Sequence, residues 1–265
     1  YEQVLTCEKP EHTHTEACWS DPAAAEDPKD WEPQDLTGDW NRDTLAIALA
    51  QEGYRPSEDY FTVDDAGEHI GYTRYGEWSG DPFGEWNLSF AAFCLHYAGA
   101  AEEAFPVETG AEAWRAALDA LELYQPLEGA VPGDLIFLDS DGDGEADRVG
   151  IFTGWQDAGP ETAETAGPEA SSGSETSAGP EQCFAVMEGD LDGEAAQALY
   201  DPEDAALLGR ASPDEAADAW YLCGEKAHIH GDGCYDGTGA LTCGKTEHIH
   251  SEDCQLPESR SFTYE

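Results

Sequence analysis

Apolar residues along this chain follow two kinds of spacing. Asp39–Gly53, Trp86–Gly99 and Ala111–Leu123 carry them at helical intervals. In the first segment Leu45, Ile47, Ala48 and Leu49 form a stripe, Asn41 or Asp43 can cap it, and Gly53 ends it. The second, with Leu88, Ala91, Ala92, Leu95 and Ala98, predicts a buried helix. The third places Trp114, Ala117, Leu118 and Leu121 on one face. Leu135–Leu138 and Val149–Phe152 are short apolar runs bounded by Gly, Pro and acidic residues, a pattern that predicts buried strands. Cys183–Met187 predicts a further strand, and Gln197–Tyr200 and Leu207–Arg210 two short ones. Tyr54–Gly84 shows no period. Its aromatic residues lie among glycines, so it reads as irregular chain over a core edge or a groove.

Polar stretches divide these elements. Residues 21–34 read as a linker rich in Pro, Asp and Ala, and residues 212–220 as a second linker. Residues 156–182 are low-complexity Gly, Pro, Glu, Thr, Ser and Ala with almost no apolar surface to bury, so they read as a disordered insertion between strands. One main domain is therefore expected over residues 35–211, with small modules at 1–20 and 221–256.

Charge narrows the choice of partners. The chain has 11 Lys and Arg against 58 Asp and Glu, a net charge of -47. Nucleic-acid phosphate and anionic lipid both need basic side chains, so neither is expected as a partner. No apolar run approaches the roughly 20 residues of a membrane span, so no membrane insertion is expected. The chain begins at Tyr1 and its one methionine is Met187, which reads as a piece of a larger, multidomain, extracellular protein.

Two motifs suggest metal. Between the strands of the central hairpin, Asp139, Asp141, Asp143, Gly144 and Asp147 reproduce most of a D-x-D-x-D-G calcium loop, with Glu145 offering its carbonyl. The twelfth position, a bidentate Glu in an EF-hand, is Gly150 here, and a strand follows in place of a helix. The expectation is a calcium-capable turn; the simpler alternative is a solvated acidic turn without an ion. The second motif, Cys-x4-His-x-His-x3-Cys, occurs three times: Cys7, His12, His14, Cys18; Cys223, His228, His230, Cys234; Cys243, His248, His250, Cys254. Four such ligands suit a closed, tetrahedral, structural zinc, giving up to three Zn2+ sites whose metal supplies the folding energy of modules too small for a core. A disulfide within each module is the alternative, but it leaves the paired histidines unexplained.

GYTRYGEWSGDPFGEWNLSFAAFCLHYAG, VPGDLIFLDSDGDGEADRVGIF and FAVMEGD occur in that order. Together they resemble the CHAP family of cysteine amidases and endopeptidases, part of the papain-like, NlpC-type superfamily that cuts peptidoglycan. The resemblance spans Trp31 to about Ala211. It implies an α+β fold, helices packed on an antiparallel sheet, to which the metal-stabilised modules read from the Cys/His spacing would be joined at both ends. It also implies a cysteine directly after Trp86, a histidine just before the Val-Gly-Ile strand, and an orienting Glu-Gly-Asn. This chain has Asn87, Arg148, Glu188 and Asp190 at those places. An amide is no nucleophile, and a guanidinium holds its proton at neutral pH. Nucleophile and base are thus both missing, and an Arg148–Glu188 ion pair is expected where base met orienter.

No substitute is evident. Cys94 reads as a core hydrophobe and His96 points to another helix face. Ser89 lacks a base, and His69 reads as a surface residue. The resulting expectation is a non-catalytic, pseudoenzyme-like binding or scaffolding domain of a bacterial cell-surface or secreted protein. Tyr75, Trp78 and Trp86 are candidates to line a groove for a cell-wall peptide, a glycan or a host surface ligand; the simpler alternative, somewhat favoured, is that they are core. The alternatives are an active peptidoglycan hydrolase with a non-standard nucleophile and a structural spacer of a surface adhesin.

Overall fold

The computed structural model describes residues 4–5, 19–26, 35–157, 182–220, 235, 240–243 and 247–248. Two-residue strands β1 (Val4–Leu5) and β2 (Trp19–Ser20) pair antiparallel. The helices are α1 (Trp40–Ala50), α2 (Arg74–Ser79), α3 (Asn87–Tyr97), α4 (Ala111–Ala120) and α5 (Pro213–Trp220). A small hairpin joins β3 (Phe61–Val63) to β4 (His69–Gly71). The main sheet contains β5 (Tyr124–Gln125), β6 (Leu135–Leu138), β7 (Arg148–Asp157), β8 (Gln182–Leu191), β9 (Glu194–Tyr200) and β10 (Leu207–Ala211). Its six strands run in the order β5-β10-β6-β7-β8-β9, with every pairing antiparallel. The class is α+β, as expected.

Alternation along the strands explains why Leu135–Leu138 reads as one continuous apolar run. Leu135 and Phe137 face the helices together with Val149, Ile151 and Met187. Ile136 and Leu138 face the other way and join Phe152, Phe184, Val186 and Leu207 in a second core. A strand covered on both faces loses its polar alternation. Helix α3 is the hub of the first core. Phe90, Phe93, Cys94 and Leu95 are buried all round it, and it packs on α1, α2, β7 and β8. Gly189 lets α3 approach β8, because a side chain there would run into Phe90.

Several local expectations are corrected. Helix α1 is capped by Asp39, whose carboxylate accepts from Arg42 N, and not by Asn41 or Asp43. Both of those face inward. Asp43 accepts from Thr37 and Gly38, and the Asn41 amide donates to the buried Asp134 at 2.8 Å. The stretch 54–84 is not irregular throughout. It holds β3, β4 and α2, elements of three to six residues and too short for a periodic signal.

Residues 212–220 are not a linker but largely α5, which packs on α1. Ser-Pro-Asp-Glu at 212–215 is a helix start, with proline in the first turn and acids facing the dipole. The helix is tied down where Ser212 Oγ and Asp214 N both donate to Asn41 Oδ1. The first residues of the other linker also lie on the domain. Ser20 Oγ accepts from Phe61 N at 2.9 Å, Asp21 N donates to Asp59 O, and Glu26 pairs with Arg74. The central part of the expected insertion, residues 158–181, lies outside the described residues, while its ends belong to β7 and β8.

Candidate functional site

Asn87 is the first residue of α3 and is buried. Its amide Nδ2 donates to Gly189 O at 2.9 Å, and its Oδ1 accepts from Val149 N at 2.9 Å. The helix start is thereby bound to the beginning of β7 and the end of β8. These partners settle which way the amide points, since one can only accept and the other can only donate.

Arg148 opens β7 beside it. Its Nε donates to Glu188 Oε2 at 2.9 Å, and a terminal nitrogen donates to Gly189 O at 3.0 Å and Asp190 O at 3.2 Å. The expected Arg148–Glu188 ion pair is present. Glu188 is fully buried, and its other oxygen accepts from Tyr200 Oη at 2.6 Å. Sequence reasoning missed Tyr200, which stands on β9 next to β8. Asp190 follows at a positive φ of 55°, in the left-handed region that Asn and Asp tolerate best. Burial raises its carboxyl pKa; hydrogen bonding from Trp86 N and the charge of Arg148 work against that rise. The four positions thus come together from three elements. They form a knot that holds charge in place, and in it neither the Asn87 amide nor the Arg148 guanidinium can attack a carbonyl or take a proton.

The four substitutes considered from the sequence do not fill those roles. Cys94 has no exposed surface, and burial pushes its thiol pKa far up, away from the thiolate. His96 is exposed on the outer side of α3, with its ring 5.2 Å from Trp78. Ser89 shares that side, but the seven-residue separation on a helix is about 10 Å, too far for a dyad. His69 is exposed and stacks on Phe61.

Tyr75 and Trp86 do not line a groove. They are 0% and 3% exposed and stacked with centroids 5.1 Å apart, and Tyr75 also packs on Phe90 and Phe93. Their large apolar area went to the core of α3. Trp78 differs: it lines a cleft of about 530 Å3 along the outer side of α3. A second cleft of about 370 Å3 lies over the knot and is lined by Asn87, Ser140, Asp147, Arg148 and Asp190. Glu85, Leu88 and Thr109 line both, so the two clefts adjoin along a trough.

The acidic turn sits at the edge of the second cleft. Carboxylate oxygens of Asp139, Asp141 and Asp147 lie within 4.8 Å of one another, the only such group among the described residues. Asp139 accepts from Gly142, Asp143 and Gly144 N, and these bonds lower its pKa. Asp143 points elsewhere and accepts from Glu145 N. Three carboxylates suit a hard cation, yet at one oxygen each they supply only about half of the six to eight that calcium takes. A glutamate at the twelfth position would force a shift in the sheet, since a side chain at Gly150 runs into Val186 of β8.

Ten of the twelve Cys/His module residues lie outside the described residues; only Cys243 and His248 are inside, both half-buried. No family model, no curated protein and no solved structure matches this chain.

Proposed function

We propose that residues 35–220 form a CHAP-like, papain-type domain that has lost its nucleophile and base and serves as a binding domain of a bacterial cell-surface or secreted protein. The observation that carries this reading is the knot. Asn87, Arg148 and Glu188 stand where the resemblance puts thiol, imidazole and orienting group, and the hydrogen bonds they form tie the helix start to the two strands. The element order also suits the family: the helix start faces the first residue of one strand, and the neighbouring strand carries the acid. In this reading the trough above the knot takes a cell-wall peptide, a glycan or a host surface ligand. The turn at Asp139, Asp141 and Asp147 takes calcium, and the Cys/His modules take zinc, both structural.

The test is to incubate the protein with insoluble peptidoglycan and calcium, sediment it, and examine both fractions. Protein in the pellet without new fragments in the supernatant supports the reading. Newly released muropeptides overturn it in favour of an active hydrolase. Protein left in solution without fragments removes the cell wall as ligand.

A further inference from the structure

The trough has a composition that neither the knot nor the fold requires. Its floor is apolar, made by Trp78, Leu88, Leu95 and Phe105. Its rim is acidic: Asp81, Glu85, Glu102 and Glu108 along α3, then Asp147 and Asp190 over the knot. Only Arg148 and His96 bring a basic group to either cleft, and the Arg148 guanidinium is committed to Glu188 and two carbonyls. No lysine occurs between Trp31 and Tyr221, so the domain has no ammonium of its own to offer this rim. The Ser89 hydroxyl adds a polar atom at the wall, shielded from solvent and without a hydrogen-bond partner among the described residues.

An apolar floor edged by carboxylates is the environment that a lysine or arginine side chain satisfies. The aliphatic stem lies on leucine and aromatic surface while the charged head meets the rim, and an indole such as that of Trp78 adds cation–π attraction. A neutral glycan uses neither the charge nor the aliphatic floor, and an acidic ligand is repelled. We infer that this trough binds an extended peptide bearing lysine or arginine, with its basic side chains set between the α3 floor and the Glu85–Glu108 rim. The inference deepens the binding-domain reading by naming the ligand class.

The decisive experiment is fluorescence anisotropy with a short labelled peptide of alternating lysine and leucine, and with its glutamate-for-lysine counterpart. Three variants accompany the wild type: Glu85→Gln with Glu108→Gln at the rim; Asp119→Asn with Glu128→Gln, an equal charge change at exposed positions outside the trough; and Ser89→Phe, which fills it. The lysine peptide binds, and its glutamate counterpart does not. The rim pair weakens binding about tenfold, as expected for two partly screened ion pairs, and the distant pair changes it by less than about twofold. Ser89→Phe, checked for folding by circular dichroism, also abolishes binding.

Equal weakening by the two charge pairs overturns the inference, because the attraction is then that of the whole surface. No binding of the lysine peptide by protein that still sediments with peptidoglycan overturns the inference alone. Binding at the rim followed by cleavage of the peptide supports the inference and overturns the non-catalytic reading instead.

Discussion

The turn that joins β6 to β7 and the strand ends beside it treat charge in opposite ways. At Arg148 and Glu188 the charges are sheltered and each finds its opposite, with Tyr200 and two carbonyls taking the remaining hydrogen bonds. In the turn itself Asp139, Asp141 and Asp147 crowd together, and backbone N–H groups and Ser140 relieve them. Burial accounts for the difference. A buried charge without a partner costs several kcal/mol, so the interior admits Glu188 only with Arg148. Asp141 and Asp147 stand in water, which screens the repulsion and leaves the turn open to a divalent ion. Asp214 gives a third solution. Its neighbour under α1 is another acid, Asp39, and burial together with that negative charge pushes its pKa up to about 7, so a proton does the neutralising.

The largest expected effect comes from breaking the sheltered pair. Arg148→Ala leaves Glu188 buried and uncompensated. It should cost about 3 kcal/mol, near the lower end for buried pairs because the arginine is partly exposed. Urea denaturation reads this directly, and a loss below about 1 kcal/mol would mean that Tyr200 alone suffices for Glu188.

Asp214 should make stability fall as pH rises. Its folded pKa lies above its ordinary value of 3.8, so the native state keeps a proton that the unfolded chain releases. That advantage is complete below pH 3.8 and lost as pH climbs through about 7. The difference in stability between wild type and Asp214→Asn should therefore drift by roughly 2–4 kcal/mol between those limits. A flat difference would show that the carboxyl is ionised in the fold.

Asn87→Ala strands a buried N–H at Val149 and leaves the Gly189 carbonyl to Arg148 alone, and should cost about 2 kcal/mol. If its double variant with Arg148→Ala is fully additive, the knot does not act as a unit. The smallest effect belongs to the exposed turn. Calcium should raise the melting temperature modestly, and Asp141→Asn or Asp147→Asn should abolish the rise. An unchanged response in both variants would place any bound ion elsewhere. The depressed pKa of Asp139 adds acid sensitivity of the opposite sign to that of Asp214: its contribution is present above its ordinary pKa of 3.8 and fades as pH falls below it.

Much of this was legible in local pattern. Leu135–Leu138 reads as a strand with the bounds it has, and the apolar faces of α1, α3 and α4 stand in the sequence at helical spacing. The short elements were not legible. Six residues of α2 leave no period to detect, although Thr73 caps its start and Gly80 closes it with a positive φ. Helix α5 was legible in principle from Ser-Pro-Asp-Glu, but its few apolar side chains hid it among polar residues.

The sequence by itself determined which residues prefer helix or strand, the surplus of acid, and the placing of Asn87 beside Trp86 and of Arg148 beside Val149. All of these are read within a few neighbours. Only the tertiary structure decided what those residues face. It put Tyr75 and Trp86 in the core while leaving Trp78 at the trough. It brought Asn87 to Gly189, Arg148 to Glu188 and Asp214 to Asp39. Burial and pairing depend on how helices and sheet stack, and that is set by contacts between residues far apart in the chain. The chemistry of a carboxylate follows from those contacts: the same side chain is ion-paired at Glu188, solvated at Asp141 and protonated up to about pH 7 at Asp214.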